Sequence, residues 1–343
     1  MIPYVVIVLV IIFARYLIGT KSILLTNRAK RRYLFIALIP VFFVIAFRGE
    51  TIGMDTSNYI RHFEELRLFK MNYDERIEIG YVYLVKYISS CFDSVRWLFV
   101  LTAFFTCLSI GQFIYRTAKD PSLALLFFVT LGLFQFALSG IRQTIAISIT
   151  LWLYPYIKHQ QLLKFTVGII VASLFHKSAF LFFPAYIMAQ QHISTKLIFF
   201  ELLSFAFIFL VADKLLLLAA DTMNYNYGIE ETGNGYIFFC IVLLISIFGL
   251  INKNDILKQN FDNQYVINVN FISLLLWGIR LISRTAERVS FYYMPYTYLL
   301  LEEYLTSQKK VFIYPIIMVL AICLFFYRVA RDPSIFPYIF SFN

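Results

Sequence analysis

MIPYVVIVLVIIFARYLI (residues 1–18), KSILLTNRAKRR (21–32) and YLFIALIPVFFVIAF (33–47) decide the fold of this chain. Two apolar runs flank a basic loop. A bilayer core is crossed by roughly 20 apolar helical residues, somewhat fewer inside a bundle. The first run has no basic stretch before it and no small-residue cleavage site, so it is expected to be a retained span and not a signal peptide. The loop carries Lys21, Arg28, Lys30, Arg31 and Arg32 with no acid among them. Short basic loops stay in the cytoplasm, which places the N-terminus outside.

Composition extends this to the whole chain. Of 343 residues, 60% are hydrophobic and 15% charged, and the 19% of aromatics include 38 Phe and 24 Tyr. Mean hydropathy is +0.74. A soluble domain is about half apolar and about a quarter charged, so this chain has too little polar surface to cover itself. A secreted enzyme, a disordered chain and a nucleic-acid binder are excluded. Apolar segments near 1–18, 33–47, 95–115, 121–139, 140–157, 162–175, 178–190, 197–218, 236–251, 265–283, 288–306 and 311–327 predict an all-α, polytopic membrane protein. They amount to about twelve transmembrane helices in one integral membrane domain over 1–343. The two short segments 162–175 and 178–190 meet at His176, where one long broken helix is the alternative.

Alternation from the first loop then places Arg116, Lys119, Lys158, Lys164, Lys196, Lys253, Lys258, Lys309 and Lys310 inside. The acids Glu50, Asp55, Glu64, Glu65, Asp74, Glu75, Glu78, Asp221, Glu230 and Glu231 fall outside. This pattern requires GYVYLVKYISSCF (80–92) to be an interfacial or re-entrant helix and not a span. The loop 48–94 is thus extracytoplasmic and contains short helices, and loops of that length are uncommon unless they carry function. A second outer loop, 219–235, reads either as a lid or as a plain connector. The four cysteines, Cys91, Cys107, Cys240 and Cys323, have no metal or redox spacing and read as small buried hydrophobes.

Several charged residues remain at outer helix ends: Arg48, Arg142, His176, Arg280, Arg284, Glu287 and Arg288. An Arg in a span costs ~2.5–3.5 kcal/mol on insertion scales, and snorkelling explains one such residue better than seven. Arg280, Arg284 and Arg288 are spaced i, i+4, i+8, which on one helix aligns them with Glu287 alongside. Three guanidinium groups in a stripe repel unless an anion lies among them, and Arg forks clamp a diphosphate well. The plainer alternative is a turn whose arginines reach lipid headgroups. Arg142 and Gln143 lie in the first turn of a helix that Ser139 is placed to cap. A cation there opposes the helix dipole, so it needs an anion nearby. His176 is either a satisfied histidine at a helix break or a general base. Asp55 either binds a sugar hydroxyl, acts as a base or pairs with Arg48 across RGETIGMD (48–55), where Gly49 and Gly53 allow a sharp turn.

At these residues the sequence resembles the EpsG-like, Wzy-type polysaccharide polymerases. The matching segments are FRGETIGMDTSNY (47–59), EIGYVY (78–83), SGIRQTIA (139–146), FHKSAF (175–180) and ERVSFYY (287–293), in the same order over most of the chain. The resemblance implies a GT-C-like glycosyltransferase of the bacterial cytoplasmic (inner) membrane, with its active site facing the periplasm or exterior. Its donor and acceptor are undecaprenyl-diphosphate-linked glycans, and the growing chain is transferred en bloc to the acceptor's sugar hydroxyl to give O-antigen or exopolysaccharide. On this basis Arg142, Arg280, Arg284 and Arg288 hold the diphosphates with help from Arg48. His176 is the first choice of base, with Asp55 and Glu287 as alternatives, and Asp55, Tyr59 and Gln143 are sugar contacts. No cofactor or metal is expected; the bilayer is a partner, and chain-length regulator and flippase proteins are candidate partners. An O-antigen ligase uses the same donor chemistry. A flippase or exporter of lipid-linked oligosaccharide is the rival of another class, but its charges belong near mid-membrane. A membrane acyltransferase leaves the arginines unexplained.

Overall fold

The computed structural model describes residues 1–18, 25–68, 77–223, 235–260, 262–307 and 313–341, with backbone alone at 212–213, 215–223 and 259. Residues 69–76 of the first outer loop, 224–234 of the second, and Lys21, Lys309 and Lys310 lie outside this set. The described chain is helical, with one isolated antiparallel bridge between Arg48 and Phe340. In order the α-helices are α1 (Ile2–Leu17), α2 (Asn27–Ala46), α3 (Thr56–Arg67), α4 (Ile79–Cys91), α5 (Arg96–Thr117), α6 (Pro121–Thr130), α7 (Leu133–Ala137), α8 (Ile141–Trp152), α9 (Tyr154–Lys158) and α10 (Leu162–Ser173). After a 3-10 helix at Lys177–Phe182 come α11 (Pro184–Ala189), α12 (Thr195–Met223), α13 (Tyr236–Ile251), α14 (Lys253–Gln259), α15 (Asn263–Arg280), α16 (Thr285–Ser290), α17 (Met294–Ser307) and α18 (Ile313–Arg331).

Two of these, α5 and α18, are long and apolar enough to cross a bilayer by length and composition. Helix α18 is exposed along Ile316, Val319 and Leu320, an apolar face that suits lipid and not water. The protein is a helical membrane protein. Several expected spans are interrupted for local reasons. Gly132 takes φ 103°, a left-handed conformation open to glycine, and divides 121–139 into α6 and α7. The segment 140–157 divides at Leu153, with Pro155 inside the first turn of α9, and 288–306 divides between α16 and α17, whose first turn holds Pro295. As the sequence suggests, α10 and the 3-10 helix meet at His176. Only Cys107 among the cysteines is buried; the expectation for Cys91, Cys240 and Cys323 is corrected, because they sit on outward helix faces.

The chain forms two compact units. Unit 1 comprises Met1–Tyr154, Gly168–Ala179 and Lys309–Asn343; unit 2 comprises Pro155–Val167 and Phe180–Gln308. Unit 1 has two distinct poles. At one, Lys30 Nζ donates to the Ala118 carbonyl (2.6 Å), Arg31 lies over the Tyr115 ring (5.0 Å), and Tyr314 donates to Asp120 (3.2 Å). At the other, residues 334–341 strap across the loop after α2. Gly49 N donates to the Ile339 carbonyl (2.8 Å), Gly53 N to the Ser334 carbonyl (2.7 Å), and Ser341 N to the Phe47 carbonyl (3.0 Å). Tyr4 Oη donates to the Ile335 carbonyl (2.6 Å), tying the start of α1 to this pole. The basic residues of the first loop and the RGETIGMD segment thus sit at opposite ends of the same helices.

Helices α3 and α4 lie at this second pole. Each is amphipathic at helical spacing, α3 through Tyr59, Phe63 and Leu66 and α4 through Tyr81, Val82, Val85 and Ile88. These faces pack with Leu98 and Phe99 of α5 and Ile141 and Ile145 of α8 in one core. Thirteen residues make α4 about 20 Å long, short of a bilayer crossing.

Candidate functional site

Glu78 is the centre of the site in unit 1, and sequence reasoning gave it no role. It is the residue before α4, 4% exposed, and its side chain does not cap its own helix. Its placement depends on Gly80, whose N–H donates to the Leu174 carbonyl at 2.8 Å. A Cβ on Gly80 would lie 2.6 Å from that carbonyl oxygen, so only glycine lets the start of α4 touch the end of α10. Leu174 is two residues before His176. The contact therefore brings Glu78 to the turn that carries the histidine.

Glu78 Oε1 faces His176 Nδ1 at 3.1 Å and accepts from Lys177 N at 3.2 Å. Its other oxygen, Oε2, accepts from Arg142 Nη1 at 2.5 Å. Both His176 and Glu78 are buried, and the Arg142 side chain is 19% exposed. Burial alone raises the Glu78 pKa. The His176 hydrogen bond and the charges of Arg142 and His176 outweigh it and hold the carboxyl down at about 2. Arg142 also hydrogen-bonds Tyr59, whose phenol is nonetheless raised above its ordinary pKa, chiefly by burial. The Tyr59 and Tyr81 rings meet edge to face at 5.8 Å, and the buried Tyr81 hydroxyl has no hydrogen-bond partner.

The structure therefore supplies the anion that Arg142 requires at a helix start, and the chain itself provides it. Gly140 is the N-cap of α8. Ser139, expected there, instead accepts from Met54 N through its Oγ (3.1 Å) and ties the RGETIGMD loop to α8. Gly53 makes that loop possible. Its φ of 92° is left-handed, and a Cβ there would lie 1.9 Å from the Leu138 carbonyl oxygen. Arg48 does not pair with Asp55. Its guanidinium is 1% exposed, donates to the Ile45 carbonyl (2.7 Å) and to Thr56 Oγ1 (3.3 Å), and lies over the Phe99 ring (4.3 Å). It braces the loop from inside, with Nη2 buried and without a partner. Asp55 is half-buried at the start of α3 without a side-chain capping bond. Gln143 is 2% exposed.

Unit 2 holds the other cluster. Helix α15 ends at Arg280 and α16 begins at Thr285, so the expected single stripe of arginines is interrupted by a turn. Ser283 Oγ accepts from Thr285 N at 3.4 Å within that turn. Arg280 is 8% exposed, and its Nε donates to Glu287 Oε2 at 2.7 Å, while its Nη1 is buried without a partner. Glu287 lies in the first turn of α16, where the helix dipole favours an acid. Arg284 is exposed, and Arg288 is half-buried. Among the described residues no group of three or more His, Cys, Asp or Glu side chains is gathered as a metal site requires.

The model of the EpsG family matches residues 31–340, nearly the whole chain. No curated protein and no solved structure matches it.

Proposed function

The chain belongs to the EpsG family, which indicates polysaccharide polymerisation in a membrane, and from that premise we propose that it extends a glycan carried on a polyprenyl diphosphate. The donor is the growing chain on one lipid and the acceptor a single repeat unit on another. The reaction takes place on the extracytoplasmic face of the bacterial cytoplasmic membrane. The separation of poles in unit 1 supports that face: the basic loop of the positive-inside rule is at one end and the Glu78 network at the other.

His176 is assigned as the general base and Glu78 as its positioning residue. A carboxylate on Nδ1 fixes the imidazole tautomer and leaves Nε2 as the basic nitrogen. Nε2 takes the proton of the acceptor hydroxyl. The oxygen attacks the anomeric carbon of the donor, the bond from that carbon to the diphosphate breaks, and the diphosphate leaves with the electron pair. Arg280, Arg284 and Arg288 are assigned to the diphosphate in unit 2. Arg142 is assigned to a diphosphate oxygen in unit 1, and Asp55, Tyr59 and Gln143 to sugar. Arginine stabilises the leaving charge without a metal.

The observation that carries this reading is the buried Glu78–His176 pair, which only a base or a structural ion pair explains. In vitro polymerisation with lipid-linked repeat units separates the two. His176→Ala is expected to cut turnover about 10²–10⁴-fold while binding of lipid diphosphate persists. Arg284→Ala is expected to weaken that binding about tenfold or more. Turnover near wild type in His176→Ala removes the base assignment and turns attention to Asp55 and Glu287.

A further inference from the structure

The inward face of α12 carries an acid where an apolar residue belongs. Phe199, Phe200, Leu202 and Leu203 point outward at more than half exposure, while Glu201 is 8% exposed. One turn further along the same face, Phe205 packs on Gly278 of α15. Glu201 thus takes an inward position on a helix whose neighbouring apolar side chains are exposed. A buried carboxylate is costly unless it is paired or hydrogen-bonded.

Glu201 lines a cavity of about 100 Å3 within unit 2, together with Ser246 of α13 and Asn268 and Asn270 of α15. The hydrogen-bond donors of that wall are committed elsewhere. Asn270 Nδ2 donates to Ser246 Oγ (2.8 Å), and Ser246 Oγ donates to the Val242 carbonyl (2.7 Å). Asn268 Nδ2 donates to the carbonyls of Met188 (3.0 Å) and Gln191 (2.7 Å). Two acceptors remain, Glu201 Oε1 and Asn270 Oδ1, both buried and without a partner. The rest of the lining is aliphatic apart from Phe271, and no other residue in it is titratable. Glu302 and Glu303, just beyond the lining residue Leu300 on α17, have interactions of their own.

A cavity wall that offers oxygen acceptors and one negative charge selects a positive ligand. A divalent ion would leave a net positive charge inside the membrane; a single charge balances. We propose that Glu201 and Asn270 form an intramembrane site for one monovalent cation, with Ser246 holding Asn270 in place. The site is separate from the polymerase residues and does not depend on their assignment.

Full-length protein in nanodiscs tests it through Tm. Sodium or potassium chloride is titrated against choline chloride at constant ionic strength and pH 8, and separately the pH is lowered to 6 in choline alone. Wild type is expected to gain stability with one alkali cation, saturating as a single site does, and Glu201→Gln is expected to lose that response. Stabilisation by acid in choline, absent from Glu201→Gln, identifies the cation as a proton. Asn270→Ala is expected to shift the midpoint of the response about tenfold, which keeps the test open if Glu201→Gln fails to fold. Identical responses of wild type and Glu201→Gln overturn the proposal. So does an unchanged midpoint in Asn270→Ala.

Discussion

Glu78→Gln removes the charge at the centre of the unit 1 network while keeping its shape. Its cost can be worked in two ways. The carboxyl falls from its ordinary 4.5 to about 2 in the folded protein. At roughly 1.36 kcal/mol per pH unit, that depression is worth on the order of 3 kcal/mol. Independently, breaking a buried ion pair from one side costs about 3–5 kcal/mol, because the partner charge is left uncompensated. The partners here are His176, through its hydrogen bond, and then the charge of Arg142. The folded pKa is the lower one, so the stabilisation is present above pH 4.5 and is lost as pH falls from there toward 2. The assay is thermal unfolding of purified protein at a fixed heating rate. At about 2–4 °C per kcal/mol for a body of 150–250 residues, Glu78→Gln is expected to lower the Tm by about 6–12 °C at pH 7. Its curve should then lack the wild-type loss of stability below pH 4.5. The double variant Glu78→Gln with Arg142→Met removes both charges, and its Tm is expected to lie well above the value that adding the single effects gives. Additive single effects, or a Glu78→Gln protein as stable as wild type, would refute the idea that Glu78 holds Arg142 and His176 by charge.

Three further substitutions probe the geometry. Gly80→Ala places a methyl 2.6 Å from the Leu174 carbonyl oxygen. It should abolish polymer formation at a stability cost of about 1–3 kcal/mol, measured by turnover and Tm together. Gly53→Ala combines a left-handed φ with a 1.9 Å clash, so it should dislodge the RGETIGMD loop and expose it to limited proteolysis. Glu287→Gln leaves the nearly buried Arg280 without its carboxylate. Its Tm should fall while the pH profile of turnover stays in place, and a profile shift would instead mark Glu287 as a base.

Much of the fold was legible because each apolar run and each basic loop carries its own signal. Lys30 and Arg31 mark one pole of unit 1 by composition alone, and the short helix around Val82 and Val85 is visible as a helical stripe too short to cross. What was illegible required chain continuity to be known in advance. The Arg280, Arg284 and Arg288 spacing implies a stripe only if the helix runs on, and the Ser283 turn breaks it. Gly132 in TLGLF is an equally local breaker, hidden inside an apolar run. The demand for an anion at Arg142 followed from the helix dipole, yet its source did not. Glu78 is distant in sequence, and only the glycine contact between Gly80 and Leu174 brings it there. The available clue was an acid directly before an apolar amphipathic helix, with no capping duty of its own. Arg48 looks in sequence like an outer charge, whereas in the fold it is buried, bonded to the Ile45 carbonyl and Thr56 Oγ1 and set against the Phe99 ring, with Nη2 left without a partner.

Arginine at these helix ends therefore has two different settings in this protein, and the partner distinguishes them. Arg48 and Arg96 donate to backbone carbonyls, at Ile45 and at Arg48 itself; these bonds hold the chain, although Arg48 Nη2 is also buried without a partner. Arg142 and Arg280 instead each meet a glutamate through one nitrogen. A guanidinium carries five N–H donors in a planar fork, so for Arg280 one carboxylate contact fixes its orientation without exhausting it, whereas Arg142 also hydrogen-bonds Tyr59. For Arg280 the remainder is visible as the unpartnered Nη1. Such a pair is close to neutral in the resting protein, which limits its cost in the membrane. In the proposed function it would also present oriented donors to a diphosphate, with little reorganisation required when the ligand arrives. If the proposed diphosphate site is correct, the glutamates hold its forks in place, and replacing Glu287 should weaken diphosphate binding even though it removes a negative charge. Stronger binding in Glu287→Gln would mean that the carboxylate competes with the ligand and that the pair serves stability alone.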